Sequence, residues 1–347
     1  MPDQKKVAIV GATGFTGSEL VRLLYHHPNV EISLITSESR AGEKFSDVHP
    51  FFRGIVDQEL FSVKALRNYQ LDLIFLALPH GISMDYVRDY QDLKVPIIDL
   101  SGDFRLSSPS VYEEWYPKKH SFPDGFAGAA YGIPELFNSE INQSALIGNP
   151  GCFPTSVILG AAPLLSAGLV DNDHIIADSK SGVTGAGVKA KPVNHFSAVN
   201  DNFKAYGVKT HRHSIEIQEK LEQLAGKPVK VQFTPHLLPI DRGILSTIYL
   251  RPSREDFSED LLRQNYVSYY AESPFVRLLD SPPTVKNVRG TNFCDIYTTY
   301  DPRTGNIIVM SAIDNLVRGA AGQAIQNMNL IFGLEETSGL SQIPLYP

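Results

Sequence analysis

Apolar and polar positions alternate along the first half of the chain in a regular rhythm. Short apolar runs at Val7–Val10, Ile32–Thr36, Leu71–Leu78, Val95–Leu100 and Ala145–Gly148 predict strands. Amphipathic stretches at Ser18–Tyr25 and Ile82–Tyr90 predict helices between them. Strands separated by helices imply a parallel sheet wrapped by helices, an α/β arrangement. From about Cys152 the rhythm changes. A helix-like stretch, Thr155–Leu165, precedes strand-like segments at His174–Ser179, Val229–Thr234, Ile244–Arg251, Thr291–Thr299 and Asn306–Ala312, which read as a second, α+β domain. The closing segment Gly319–Phe332 is rich in helix formers and gathers Ala320, Ala324, Ile325 and Met328 on one side, which predicts a packed helix.

Composition narrows the class. A chain of 347 residues makes two domains at roughly 100–200 residues each, with no need of a disulfide or metal scaffold. With 31 basic against 38 acidic side chains and a formal charge of −7, it has no Lys or Arg run of the kind that binds nucleic acid or an anionic membrane. Two cysteines, Cys152 and Cys294, make no secreted disulfide framework, and no Cys/His spacing resembles a zinc site. The polar opening Met1–Lys6 lacks the regions of a signal peptide. The longest apolar stretches, such as Leu73–Leu78 and Val157–Leu165, fall short of the ~20 residues a spanning helix requires. A soluble, cytoplasmic protein acting on small molecules is expected.

Candidate chemistry sits at two places. After the first strand comes Gly11-Ala12-Thr13-Gly14-Phe15-Thr16-Gly17, leading into a helix. Small residues there let the backbone turn sharply and approach a pyrophosphate, which the N–H groups of the helix then face. The spacing is G-x-x-G-x-x-G, so the strand and helix context carries the reading, against a plain strand-to-helix turn. The second strand ends Thr36-Ser37-Glu38-Ser39-Arg40. Ser37, Ser39 and Arg40 suit a 2′-phosphate and favour NADP, while an inward Glu38 would be a contrary sign.

The second place is Gly148-Asn149-Pro150-Gly151-Cys152-Phe153-Pro154-Thr155, where a cysteine stands between a strand and a helix. The positive end of a helix stabilises thiolate, so Cys152 is a candidate nucleophile and Cys294 reads as packing. A thiolate catalyst needs a proton carrier. His211-Arg212-His213 opens the helical run His213–Leu224, and Glu216 shares a face with His213, where it could orient the ring. His213 is the candidate acid/base, and His211 could exchange roles with it.

Taken together, these motifs resemble the N-acetyl-gamma-glutamyl-phosphate reductases of the semialdehyde dehydrogenase group. The resemblance is carried nearly end to end by Gly11–Gly17, Asp99–Leu106, Tyr131–Glu135, Asn149–Thr155, Ser181–Gly187, His211–His213, Pro235–Leu237 and Ile313–Asn329. Departures are Ile215 where Pro is usual, Phe153 for Tyr and Gly102 for Ala. The Ile215 departure bears on how rigidly the first turn under His213 is set.

The resemblance implies a Rossmann-type dinucleotide-binding domain, 1–151 with 316–347, and an inserted α+β catalytic and dimerisation domain, 152–315, with Cys152 where the two meet. It also implies NADPH-dependent reduction of an acyl phosphate through a Cys152 thioester. Arg105 would hold the phosphate, by analogy with aspartate-semialdehyde enzymes. Gly185 and Gly187 would lie beside the nicotinamide and Asn315 would bind its carboxamide, unless Asn315 is a helix cap. Tyr206 would contribute a hydroxyl or pack as an aromatic. A homo-oligomer, dimer or tetramer, is implied by the family alone. Aspartyl and carrier-bound aminoadipyl phosphates are alternative substrates, and a nucleotide sensor that lost the chemistry is an alternative class.

Overall fold

The computed structural model describes residues 4–346; residues 1–3, the start of the polar opening, and residue 347 lie outside the described residues. The chain divides into two compact units, Met1–Pro150 with Ala320–Ser341 and Gly151–Gly319 with Gln342–Pro347.

In the first unit the elements run β1 (Lys5–Val10), α1 (Phe15–Leu24), β2 (Val30–Thr36), α2 (Phe45–Val48), β3 (Leu73–Leu76), α3 (Ser83–Tyr90), β4 (Ile97–Asp99), α4 (Pro109–Trp115), β5 (Ala129–Tyr131), α5 (Pro134–Gln143) and β6 (Leu146–Gly148). The six strands form one sheet in the order β2-β1-β3-β4-β6-β5, every pair parallel. Strands covered on both faces must be apolar throughout. All four residues of β3, Leu-Ile-Phe-Leu, are accordingly buried. The chain leaves β1 for β2 on one side and returns to β3 on the other. That switch is where such sheets bind ligands.

The second unit contains α6 (Cys152–Ser166), β7 (Ile175–Ser181), α7 (Phe196–Val199), β8 (Lys204–Ala205), α8 (His213–Ala225), β9 (Val231–Leu237), β10 (Ile244–Leu250), α9 (Glu259–Tyr269), β11 (Val276–Leu278), β12 (Cys294–Asp301) and β13 (Asn306–Ile313). Its seven strands form a mixed sheet, β11-β12-β13-β10-β7-β9-β8. The helix α6 packs on β10 and β13, with α8 and α9 beside it. Thirteen of its fifteen residues are buried, so it is apolar on nearly every side.

The chain then returns to the first unit as α10 (Gly322–Ile331). The expected one-sided apolar face is not what forms: α10 is buried on all sides, Gln323, Gln326, Asn327 and Asn329 included. The polar side chains are tolerated because fixed partners meet them. Asn327 Nδ2 donates to Gly132 O (3.0 Å) and Asn149 Oδ1 (3.1 Å), and Asn329 Nδ2 to the carbonyls of Glu336 (3.0 Å) and Ser338 (2.9 Å).

The sequence pattern missed α4, β5, α5, α9 and the short α2, α7, β8 and β11. In α5, a non-helical Phe137 (φ −129°) breaks the period. In α9 only Leu262 and Tyr266 are buried, too few for a stripe, and the helix start is set by Ser258 Oγ accepting from Leu261 N–H at 3.2 Å. Among the described residues no helix is long and apolar enough to cross a membrane.

Candidate active site

Cys152 is the first residue of α6, half-buried and outside any disulfide, whereas Cys294 is fully buried on β12. Two glycines seat it. A β-carbon added at Gly151 would lie 2.3 Å from His213 Nε2, so the imidazole rests directly on the residue before the thiol. A β-carbon added at Gly319 would lie 2.6 Å from Cys152 Cβ. Gly319 belongs to a π-helical turn, Val317–Ala321, a feature that recurs at functional sites. Sequence reading took Gly151 as part of a turn and Gly319 as the start of a helix. Neither reading foresaw that the missing side chain is what makes room for the site.

The two histidines separate clearly. His213 N–H donates to His211 Nδ1 at 3.2 Å, which makes His211 Nδ1 an acceptor and its ring neutral. The His211 ring is packed among Phe153, Tyr206 and Phe233, with ring centres 5.5–5.7 Å apart. Loss of water around it, and secondarily the charge of Arg212, pulls its pKa down to about 4. Burial pushes the Tyr206 phenol up, with a further push from the charge of the nearby Cys152, so Tyr206 keeps its proton. Tyr206 is therefore both an aromatic wall for His211 and a neighbour of the thiol.

Glu216 has a partner that its position in the sequence does not suggest. It is 1% exposed in the first turn of α8, and its Oε1 accepts from Gly151 N–H at 2.8 Å. Through that oxygen the carboxylate reaches the turn that carries Cys152. No local pattern signals this, because the partners are 65 residues apart.

Around the second Gly-rich loop, Thr184 Oγ1 donates to Asp241 O and Gly187 takes φ +77°. Asn315, 2% exposed, braces that loop: Oδ1 accepts from Gly243 N–H (2.8 Å) and Nδ2 donates to Thr184 Oγ1 (3.0 Å). A β-carbon added at Gly185 would stand 3.8 Å from Asn315 Nδ2. The capping role belongs instead to Asp314, whose Oδ1 accepts from Leu316 and Val317 N–H at 2.8 and 3.1 Å.

In the first unit the Gly11–Gly17 turn fits a dinucleotide cradle. Gly11 has φ +85°, and a β-carbon on it would lie 2.5 Å from Ala77 O; one on Gly17 would lie 2.3 Å from Gly11 O. The helix α1 begins at Phe15 with Gly14 as a cap that has no side chain to occupy the N-terminal N–H groups, Thr16 among them. Thr13 Oγ1 and Ser37 Oγ lie 3.1 Å apart at the ends of β1 and β2. Glu38, the contrary sign, has Oε1 accepting from Val63 N–H at 2.6 Å. Arg40 is exposed and pairs with Glu43 at 3.2 Å.

Arg105 is a buried residue. It is 5% exposed, and its Nε and Nη2 donate to Asn149 O (2.7 Å) and Leu100 O (2.8 Å). Asp103 accepts from Gly81 N–H, Met84 N–H and the Tyr112 hydroxyl. Beside it, Asp99 is fully buried; burial first, then the charge of Asp103, pushes its pKa up to about 7.

Comparison with known proteins agrees with this architecture. The model of the semialdehyde dehydrogenase NAD binding domain matches residues 6–144, and that of the semialdehyde dehydrogenase dimerisation domain matches residues 152–315. The chain belongs to the semialdehyde dehydrogenase family. It is 51% identical to the N-acetyl-gamma-glutamyl-phosphate reductase of Geobacter metallireducens, over 98% of this chain and 99% of that one. It is 49% identical to the enzyme of the same name from Pelotomaculum thermopropionicum, over 99% of each chain. Within the family its place is among the N-acetyl-gamma-glutamyl-phosphate reductases. Solved structures of similar fold include aspartate semialdehyde dehydrogenase II from Vibrio cholerae complexed with ASA (TM-score 0.74, 16% identity, covering 95% of this chain and 99% of that one). Another is the Candida albicans aspartate semialdehyde dehydrogenase with NADP (TM-score 0.72, 15% identity, covering 95% and 99%).

Proposed function

We propose that this chain reduces N-acetyl-gamma-glutamyl phosphate to N-acetylglutamate 5-semialdehyde, with release of phosphate, as a step in arginine synthesis. The observation that carries the reading is the His213 imidazole seated on Gly151 beside Cys152 at the first position of α6. Cys152 loses its proton to His213, and the α6 N-terminus favours the resulting thiolate. The sulfur attacks the acyl carbon, a C–S bond forms, and phosphate leaves with the electrons of the broken C–O bond, giving a thioester. NADPH, when bound, supplies the hydride that reduces this thioester. The oxygen that gains charge in that step faces the protonated His213, and collapse of the adduct returns the thiolate and frees the aldehyde.

His211, neutral near pH 7, sets the start of α8 rather than moving the proton. Glu216 holds the Cys152 turn by Gly151 N–H. We assign Arg105 to the phosphate side, its charge anchored on Asn149 O, three residues before Cys152 in sequence. Gly11, Thr13, Gly14, Phe15, Thr16 and Gly17 form the pyrophosphate turn, Ser37 and Arg40 receive the 2′-phosphate of NADP, and the loop Gly185–Gly187 braced by Asn315 receives the nicotinamide. With Glu38 engaged at Val63, the hydroxyls and Arg40 define the ribose end. The protein works in the cytoplasm as a homo-oligomer; the match to a dimerisation domain and the half-buried second face of the seven-stranded sheet, with Ile176, Asp178 and Lys180, support the oligomer.

The test is a phosphate-dependent assay with N-acetylglutamate semialdehyde and NADP, run beside aspartate semialdehyde and a Cys152→Ser variant. Turnover of the first aldehyde, abolished in the variant, is expected. Full activity of Cys152→Ser would sink the covalent route, and turnover of aspartate semialdehyde alone would sink the substrate assignment.

A further inference from the structure

Beneath α6 runs a row of buried hydroxyls that the reaction as described does not use. Ser179 on β7, Ser246 on β10 and Ser311 on β13 are direct cross-strand neighbours. Cys294 on β12 continues the row, its Sγ 3.4 Å from Ser311 Oγ. The Ser179 and Ser246 oxygens are 2.8 Å apart. From above, Ser156 of α6 inserts its Oγ between two of them, 2.9 Å from Ser246 Oγ and 3.1 Å from Ser311 Oγ. All five side chains are 0% exposed.

We propose that this row is a positioning device for Cys152, with Ser156 as its central member. Other directional ties of α6 run to neighbouring helices, from the Tyr266 and Tyr270 hydroxyls of α9 to Gly160 O and Leu159 O and from Gly151 N–H to Glu216, whereas toward the sheet its side chains after Ser156 are apolar. Val157, Ile158, Leu159, Ala161, Ala162 and Leu164 are fully buried, and apolar contact is nearly indifferent to small sliding or rotation. A hydroxyl row is not, because its bonds form in one register only and each orphaned oxygen is costly. Ser156 lies four residues after Cys152, one turn along the same face of the helix. Any shift of α6 that breaks the Ser156 contacts therefore carries the thiol with it. The helix is also held close to the sheet: a β-carbon added at Gly160 would lie 2.7 Å from Ile248 Cδ1. Proton conduction is a poorer account of the row, since Ser179 and Cys294 at its ends are both 0% exposed and exchange with no solvent.

The inference rests on Cys152 as the attacking thiol, so the test reads the thiol directly as well as turnover. Full-length Ser156→Ala and the triple variant S156A/S246A/S311A are compared with the wild type. The readouts are Tm, kcat, KM for NADP, and the rate of Cys152 alkylation by iodoacetamide. Ser156→Ala is expected to lose about tenfold or more in both kcat and alkylation rate, as misplacement of a reacting group does, with KM for NADP unchanged. The triple variant removes both oxygens that face Ser156 and with them the Ser179 partner, so kcat and alkylation should stay low in it whatever its Tm. If Ser156→Ala does not fold, the triple variant decides alone. Alkylation and kcat at wild-type values in either variant, with or without a loss of Tm, would reduce the row to packing and overturn the proposal. Absence of semialdehyde turnover by the wild type would refute the proposed reaction instead, and the alkylation comparison would still judge the row.

Discussion

Gly151→Ala tests the site at its tightest point. The backbone there, φ −69° and ψ 154°, is one that alanine adopts without strain, so the perturbation is purely the added methyl. That methyl would stand 2.3 Å from His213 Nε2, and ordinary contact begins near 3.4 Å, so the ring must retreat by about 1 Å. A side-chain ring at the edge of a helix can retreat cheaply, and the stability loss should stay near ~1 kcal/mol, including the small loss of replacing a glycine cap by alanine. The same 1 Å separates a proton carrier from its thiol, where displacement of that size costs on the order of 100-fold in rate. A hundredfold loss corresponds to about 2.7 kcal/mol in the barrier. The assay is steady-state kcat and KM in the semialdehyde direction beside a thermal melt. Expected is a large fall in kcat, an unchanged KM for NADP and a Tm within a few degrees of wild type. A kcat within twofold of wild type would refute the reasoning, since His213 would then owe nothing to its seat on Gly151.

Other outcomes follow from the same geometry. His213→Asn should lose roughly 10²–10⁴-fold in kcat, while His211→Asn, whose amide oxygen can still accept from His213 N–H, should lose under about tenfold; the reverse ranking in kcat would reassign the proton carrier. With Asp99 folded near 7 and unfolded near ~3.9, the native state binds an extra proton between those values, so stability falls as pH rises from about 4 to 7. The urea midpoint should drop across that window and the slope should shrink in Asp99→Asn; a flat wild-type profile would contradict the raised pKa. Arg40→Ala should weaken NADPH binding about tenfold, the order of one charge-assisted contact, and leave NADH binding unchanged; equal loss for both cofactors, by fluorescence titration, would remove Arg40 from the 2′-phosphate.

Much of the fold was legible because local chemistry dictates it. The parallel sheet follows from all-apolar runs such as Leu73–Leu76 spaced by amphipathic helices, and α8 begins at His213 as its pattern suggests. The unexpected parts involve residues whose local signal is weak or whose purpose is distant. The kink at Phe137 erased the period of α5, and α10 carries polar residues inward because partners from other elements receive them. Arg105 illustrates the difference: its phosphate role is implied by the resemblance alone, and only the fold brings its guanidinium to the carbonyls of Leu100 and Asn149.

By itself, then, the order of residues determines the strongly patterned elements such as β1, α1, β3 and α8, the glycine turn after β1 and the presence of a cysteine at a helix start. These depend on neighbours a few positions away, through φ/ψ limits, periodicity and the helix dipole. The tertiary structure alone decides which histidine is neutral, where Glu216 points, why positions 151 and 319 admit no side chain and how α6 is registered on its sheet. Those are matters of a few ångströms between residues such as Gly151 and Glu216, or Ser156 and Ser311, which are 65 and 155 positions apart. No local pattern encodes such a distance, because it is set by the packing of whole elements against one another.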